Sequence, residues 1–170
     1  MTPIEAPRLI LRPPELADYD DFHALTVPDA MRRFLGPDPP SREASFRRFT
    51  GTAGGWSLVG YSSFMVFDRA SGTLAGSCGL FHLPRELGPD FDGHPEAGWV
   101  IAEPFWGRGY AVEAMAAALA WFESTHGLRR TVCMISPGND ASERVADRLG
   151  YRLLRAANYK AEQVQLYARS

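Results

Sequence analysis

A glycine-containing loop between a predicted strand and a predicted helix constrains the fold of this 170-residue chain more than any other feature. Residues 97–101 have the apolar, β-branched and aromatic character of a strand, and residues 106–111 contain two glycines. The next segment carries a stripe of apolar residues at the three- and four-residue spacing of a helix: Val112, Met115, Leu119 and Phe122. We therefore expect a strand, a tight loop and a helix in direct succession.

A loop of this kind can bind an anion. The first turn of a helix leaves backbone N–H groups without partners and carries the positive end of the helix dipole. Glycine at positions 107 and 109 lets the backbone approach a phosphate closely, and Arg108 adds a positive charge. An ordinary tight turn from strand to helix also uses two glycines, so the loop alone leaves both interpretations open.

Two familiar nucleotide-binding motifs do not fit the loop. A Walker loop requires Gly-Lys followed by Ser or Thr, and the sequence contains no such triplet. A Rossmann fingerprint requires a third glycine where this chain has Val112, and it belongs to an early βαβ unit. A dinucleotide-binding oxidoreductase is retained only as an alternative hypothesis.

The remaining pattern predicts strands and helices within a single domain, residues 1–170. Further strands are predicted at residues 8–12, 61–68, 73–81, 131–135, 151–155 and 163–169, with hairpins joining 61–68 to 73–81 and 151–155 to 163–169. Further helices are predicted from the Pro13-Pro14 pair to about Thr26, after a cap at Ser41, and over about 141–149 before Gly150. The proline-rich segments 36–40 and 83–95 are expected to be loops.

Composition narrows the class of protein. Hydrophobic residues make up 45% of the chain and charged residues 22%, which is typical of a soluble globular domain. The net charge of -2 argues against nucleic acid as a partner, and no apolar run reaches the roughly 20 residues of a membrane span. We expect a cytoplasmic protein. Cys78 and Cys133 have apolar or small neighbours, as buried reduced thiols do, and the four histidines lack metal-ligand spacing, so no metal is expected.

Four separated motifs resemble the GNAT superfamily of N-acetyltransferases, particularly its ribosomal-protein N-acetyltransferase-like (RimJ/RimL-type) branch. The main motif comprises residues 96–101 and 106–114, which are similar to the acetyl-CoA signature of the superfamily. The other three motifs are residues 8–13, 139–142 and 149–151. Trp106 stands where the superfamily usually has Gln or Arg, as is common in this branch.

The resemblance implies a fold and an activity. The implied fold is α/β (α+β), the GNAT acyl-CoA N-acyltransferase fold, with a mixed, mostly antiparallel sheet of about seven strands, splayed in the middle and flanked by about four helices. The implied activity is transfer of the acetyl group of acetyl-CoA to a primary amine, on a protein N-terminus or a small molecule, by direct attack in a ternary complex. The acceptor and the choice between monomer and homodimer stay open. A non-catalytic acyl-CoA-binding or sensing domain is the alternative.

The resemblance also assigns cofactor-binding roles. It implies that the strand carrying Val100 and Ile101 diverges from the strand at 131–135 and binds pantetheine through its backbone. It implies pyrophosphate binding by the loop residues Trp106, Gly107, Arg108, Gly109, Tyr110 and Ala111. Asn139 is expected near the pantetheine arm, although it could equally be a turn or helix-start residue. Ser142 is expected to contact the cofactor and to protonate the departing thiolate.

The acceptor side is less specified. Glu96 is the first choice for the base because it begins the splayed strand, with a solvated strand-end glutamate as the alternative. His94 is a second candidate base, and Tyr151 is interpreted as a core aromatic rather than an acid. Segments 36–55 and 83–95 are expected to line the acceptor pocket. The acids Glu86, Asp90 and Asp92 would suit a cationic acceptor or simply form an exposed acidic loop.

Overall fold

The computed structural model describes residues 1–33 and 38–170, so positions 36 and 37 of the predicted loop and pocket segments lie outside the described residues. Within this range eight strands form one sheet in the order β1-β2-β3-β4-β5-β6-β8-β7. The strands are β1 (Ile4–Glu5), β2 (Leu9–Arg12), β3 (Ser63–Asp68), β4 (Leu74–Phe81), β5 (Glu96–Ile101), β6 (Thr131–Ile135), β7 (Arg152–Tyr159) and β8 (Glu162–Arg169). All neighbouring pairs are antiparallel except β5 and β6.

Helices cover both faces of the sheet. They are α1 (Tyr19–Thr26), α2 (Asp29–Arg32), α3 (Arg42–Leu58), α4 (Tyr110–His126) and α5 (Asp140–Arg148). The predicted fold class is confirmed. The described chain has eight strands rather than about seven because the two-residue β1 pairs with β2, and five helices rather than about four because α2 is a separate four-residue turn.

Successive side chains of β3 point to opposite faces of the sheet and belong to two separate core clusters. Phe64 and Val66 are buried in one cluster with Met115 and Phe122 of α4, whereas Met65 packs with residues of α1 and α3 on the opposite face. This is the period-two pattern of a strand buried on both sides. Burial of the Met115 and Phe122 stripe confirms the predicted face of α4.

The first helix begins later than the prolines suggested. Residues 16–18 form a 3₁₀ turn, and the buried Asp18 accepts two hydrogen bonds from the Arg12 guanidinium, at 2.7 and 2.6 Å. Leu16 is exposed, whereas Phe22 and Leu25 are the buried apolar positions of α1. This segment therefore buries an ion-paired carboxylate, Asp18, in its first turn.

The sheet opens between β5 and β6. Their only residue pair in the described chain is Glu96 with Val132, next to a hydrogen bond from the Val132 N–H to the Pro95 carbonyl, at 3.0 Å. From Ala97 onward β5 remains paired with β4 but has no partner on the β6 side. The predicted splay is therefore confirmed, and a gap opens toward the carboxyl ends of both strands.

Candidate active site

A cavity of about 780 Å³, called the cleft below, occupies the gap between β5 and β6 and continues beneath α3. One wall is formed by β5 at residues 96–100, and the other by residues 134–136 together with Asn139 and Ser142 of the α5 start. Four residues of α3 also line it: Arg48, Gly51, Thr52 and Gly55. The cleft is within the size range of small-molecule sites.

The predicted glycine loop follows β5, beyond the end of the strand. Gly107 and Gly109 have φ of 72° and 77°, and Gly109 is the N-cap of α4. An added Cβ would meet no described atom within 4 Å at Gly107, and at Gly109 it would lie 3.7 Å from an Arg8 nitrogen. The left-handed conformation, rather than crowding, is what requires glycine here.

The amides of the loop point to an anion site. In the described chain, the backbone N–H groups of residues 107–112 donate no hydrogen bond to a backbone or side-chain acceptor. These N–H groups lie before and within the first turn of a 17-residue helix, whose dipole is positive at this end. The exposed Arg108 adds its charge while its guanidinium lies 5.6 Å from the centre of the Phe105 ring. These features fit the phosphates of an acyl-CoA.

Arg8 of the sequence motif at 8–13 supports the loop. Its Nη1 donates to the Arg108 carbonyl at 2.9 Å, and its Nη2 lies 2.6 Å from the Glu113 carboxylate. The same carboxylate accepts the Arg8 backbone N–H at 2.7 Å. Strand β2 and the start of α4 are thus joined beneath the loop. The sequence motif at 8–13 predicts a strand and a family resemblance but not this contact, which spans 105 residues.

Three predicted cofactor residues have other contacts that limit their roles. The buried Tyr110 hydroxyl donates to Asp68 at 2.6 Å, which lowers the pKa of Asp68 and leaves only the Tyr110 amide near the loop. The Trp106 indole donates to the Ile101 carbonyl at 2.6 Å. Ile101 is itself buried and outside the cleft lining, whereas Val100 lines the cleft. Ala111 is half-buried in the first turn of α4.

The start of α5 carries the other two predicted cofactor contacts. The Asn139 side-chain oxygen accepts the Ser142 N–H at 3.1 Å, which makes Asn139 the N-cap of this helix. Both residues line the cleft. The structure therefore brings Asn139, Ser142, Val100 and Glu96 to one cavity. The helix-start interpretation of Asn139 is confirmed, and its contact with pantetheine stays a prediction.

Glu96 is buried at the narrow end of the cleft. Its carboxylate forms a two-pronged ion pair with Arg85, with Nε–Oε2 and Nη2–Oε1 distances of 2.7 Å each. Burial raises the pKa of Glu96, and the Arg85 guanidinium opposes that rise. The alternative of a solvated strand-end glutamate is wrong, since only 3% of the residue is exposed. Sequence reasoning missed Arg85, because its proline-rich surroundings carry no periodic signal.

Other candidate chemical groups lie elsewhere. His94 is outside the cleft lining, and the buried Tyr151 hydroxyl pairs with Thr131 Oγ1 at 2.8 Å, which confirms its core role. Burial raises the pKa of the Cys78 and Cys133 thiols.

Among residues 1–33 and 38–170, no cluster of His, Cys, Asp and Glu side chains could hold a metal ion. No helix in the same part of the chain is long and apolar enough to cross a bilayer.

The acids of segment 83–95 organise their own loop. Asp92 accepts the backbone N–H groups of Arg85, Leu87 and Gly88 at 2.6–2.8 Å. Asp90 pairs with Arg155 through two contacts of 2.8 Å. Neither acid lines the cleft, and neither does Glu86. The predicted link between these acids and a cationic acceptor therefore has no support in the geometry.

Comparison with known proteins agrees with the fold. Residues 8–152 match the family model described as an acetyltransferase (GNAT) domain. The chain therefore belongs to the GNAT acetyltransferase family, whose members use acetyl-CoA.

Individual relatives match at several levels. The chain is 29% identical over 110 residues to the uncharacterized protein YkkB of Bacillus subtilis, covering 65% of this chain and 62% of the relative. A solved structure from Bordetella pertussis, attributed to the GnaT family of acetyltransferases, superposes with a TM-score of 0.89 at 30% identity and full coverage of both chains. RimL, a ribosomal L7/L12 alpha-N-protein acetyltransferase solved with coenzyme A, superposes at 0.74 with 19% identity, over 99% of this chain and 97% of RimL. This last likeness concerns the fold alone.

Proposed function

We propose that the chain transfers the acetyl group of acetyl-CoA to a primary amine within a ternary complex. The observation that carries the proposal is the parting of β5 from β6 beyond Glu96, which joins an open anion loop to a cleft with a buried carboxylate. RimL, by its description, acetylates a ribosomal protein N-terminus. A protein N-terminus and a small amine are therefore both candidate acceptors.

The cofactor-binding residues are proposed from the free groups of the site. The amides of Gly107, Arg108, Gly109, Tyr110 and Ala111, with the Arg108 side chain, would hold the pyrophosphate. The Val100 backbone and Asn139 would flank the pantetheine arm, while Trp106 would fix the loop through its bond to the Ile101 carbonyl. Bound acetyl-CoA supplies an activated thioester, so the protein needs no covalent intermediate of its own.

Glu96 is proposed as the base, acting directly or through one water. The attacking amine must be uncharged, and a carboxylate whose pKa is raised by burial is a better proton acceptor near neutral pH than an ordinary one. Arg85 holds the carboxylate in one orientation. Ser142 is proposed to supply a proton at the cofactor sulfur, with its backbone fixed by Asn139.

A panel of amines and peptides with labelled acetyl-CoA tests the proposal. We expect labelled product and release of free coenzyme A with at least one class of acceptor. The Glu96→Gln variant should lose about 100-fold or more in kcat, the usual share of a general base, while its acetyl-CoA affinity is retained. Its melting temperature should be measured alongside, because Arg85 loses its partner in this variant.

The alternatives give different outcomes. Coenzyme A binding without any turnover would favour the non-catalytic acyl-CoA-binding domain. Tight binding of NAD without binding of coenzyme A, measured by calorimetry, would reject the proposal that the loop binds acetyl-CoA. Unchanged acetylation by both Glu96→Gln and Ser142→Ala would remove the catalytic assignment while leaving the reaction itself in place.

A further inference from the structure

One face of α3 forms part of the cleft wall. Arg48, Gly51, Thr52 and Gly55 follow the spacing i, i+3, i+4 and i+7, so they share one side of the helix. A Cβ added at Gly51 would meet no described atom within 4 Å. Packing therefore does not explain glycine at this position, although glycine inside a helix costs stability. Its absent side chain leaves room beside Arg48.

The charges of the cleft oppose those of the whole chain. The described lining contains three cationic side chains, Arg48, Arg85 and Lys160, and one carboxylate, Glu96, which gives a net charge of +2 with histidine neutral. The whole chain has a net charge of -2. Positive charge is thus concentrated where an acceptor would bind, and a concave site focuses its field.

Arg48 lines the cleft without a carboxylate partner among the described residues. Arg85 is neutralised by Glu96, whereas no acid of the described chain forms an ion pair with Arg48. Arg48 is exposed to solvent where it lines the cleft, and the protein around it, together with repulsion from Arg85, lowers its pKa. Arginine nevertheless stays charged in proteins. A bound anion would compensate this charge.

Lys160 reaches the cleft from a strained turn. The β7–β8 hairpin turns through Lys160 and Ala161, whose φ values of 49° and 65° are left-handed. Residues other than glycine, asparagine and aspartate rarely adopt this conformation, at a cost of about 1–2 kcal/mol each. This turn places the cationic side chain of Lys160 in the cleft wall.

We propose that the acceptor is a small amine that also carries an oxyanion, either a carboxylate or a phosphate, bound by Arg48 with help from Lys160. The proposal rests on the acetyl transfer proposed above and specifies its acceptor. The amine would lie toward Glu96, which would accept its proton, and the oxyanion would lie toward Arg48. Arginine suits this role because its planar guanidinium can bind either oxyanion through two hydrogen bonds.

Matched acceptors and matched variants test this specificity. The acceptors are amino acids compared with their carboxamides, and aminoalkyl phosphates compared with the corresponding amino alcohols. The variants are Arg48→Gln and, as a control, Arg47→Gln, one residue earlier on α3, where Arg47 is exposed and pairs with Glu43 at 2.8 Å. Each kcat and KM is measured at saturating acetyl-CoA.

We expect the anionic member of at least one pair to be preferred about ten-fold or more in kcat/KM. Arg48→Gln should abolish that preference by raising KM for the anionic member, and Arg47→Gln should behave as the parent protein. An undiminished preference in Arg48→Gln, or an equal rate with both members of every pair, would overturn the proposal. Faster acetylation of acidic peptides than of any small amine would overturn the assignment to a small molecule.

A binding measurement separates failure of this proposal from failure of the reaction. With coenzyme A saturating the loop, inorganic phosphate should raise the melting temperature of the parent protein and of Arg47→Gln but not of Arg48→Gln. This result together with no turnover on any amine would reject the proposed reaction and keep the anion site. Turnover on neutral amines with no effect of phosphate would keep the reaction and reject the anion site.

Discussion

The side-chain oxygen of Asn139 caps α5, while the residue as a whole lines the cleft. Aspartate also caps helices well, but it lacks the amide donor. Asn139→Asp should therefore keep the melting temperature within about 2 °C and raise the Kd for acetyl-CoA, whereas Asn139→Ala should also lower stability by about 1 kcal/mol. Thermal melts and calorimetry check both effects. Parent-like cofactor affinity in Asn139→Asp would restrict Asn139 to capping.

Burial of Glu96 predicts the pH dependence of activity. A base works only when deprotonated, so a raised pKa moves the acidic limb of the kcat/KM profile to higher pH than an ordinary glutamate would give. Activity should fall as the pH drops through this limb, and the limb should be lost from the residual activity of Glu96→Gln. A profile in Glu96→Gln that keeps the parent limb would show that another group titrates.

The left-handed backbone of Gly109 predicts a selective loss of cofactor binding. Valine there costs roughly 1–2 kcal/mol of strain and places a branched side chain over the amides of the loop. Gly72 is a matched control, because its φ of 70° is also left-handed and its Cβ position is open, but it lies in the β3–β4 turn. Gly109→Val should lower acetyl-CoA affinity about ten-fold or more, and Gly72→Val should lower stability only. Equal affinities in both variants would contradict the anion loop.

Sequence reasoning could place single residues only where a local pattern marks them. Gly107 and Gly109 precede the apolar stripe of one predicted helix, and Asn139 precedes another predicted helix. The sequence could therefore place all three residues at helix starts. The pairing of Glu96 with Arg85 could not, because it depends on how a proline-rich loop folds back around Asp92. Burial of that pair is a property of the assembled sheet.

At the level of one helix, α3 offers two glycines with different surroundings. An added Cβ meets no described atom within 4 Å at Gly51 or at Gly54, but Gly51 lines the cleft and Gly54 does not. Both alanine substitutions should stabilise the protein by about 0.5–1 kcal/mol. Gly51→Ala should in addition raise the acceptor KM severalfold, while Gly54→Ala leaves it unchanged. Melts and steady-state kinetics check the pair, and an unchanged KM in Gly51→Ala would place the acceptor elsewhere.

Elements with strong periodicity were predictable, and elements set by tertiary contacts were not. The stripe of α4 and the Ser41 cap of α3 are local signals, and both are confirmed. The extension of β7 to Tyr159 was missed, since Lys160 and Ala161 do not have the composition of a two-residue turn. The pairing of β7 with β8, a non-local interaction, holds that turn.

At the scale of the whole molecule, the parting of β5 from β6 opens a cavity in the middle of the sheet. A continuous β5–β6 pair would satisfy its backbone groups and leave no space, whereas one remaining residue pair at Glu96 keeps the two halves of the sheet joined. The same joint buries Glu96 at the narrow end of the cleft. The fold and the proposed chemistry therefore share the same short contact. The family resemblance implied this opening of the sheet, and the residue pattern alone did not.

The separation of charge between cleft and surface leads to a prediction about salt. An anionic acceptor is attracted by the lining, of charge +2, and repelled by the rest of the chain, of charge -4, and both effects are screened as the Debye length falls from about 10 Å at 0.1 M to about 3 Å at 1 M salt. Contact with Arg48 inside the cleft should outweigh the more distant surface charges, because Coulomb energy falls with distance.

Rising potassium chloride should therefore lower kcat/KM for an anionic acceptor and leave its neutral counterpart almost unchanged, with acetyl-CoA saturating throughout. In Arg48→Gln the salt dependence for the anionic acceptor should become shallower, and in Arg47→Gln it should keep the parent slope. A rise of kcat/KM with salt for anionic acceptors would mean that repulsion by the surface dominates. Positive charge within the cleft would then contribute nothing to the choice of acceptor.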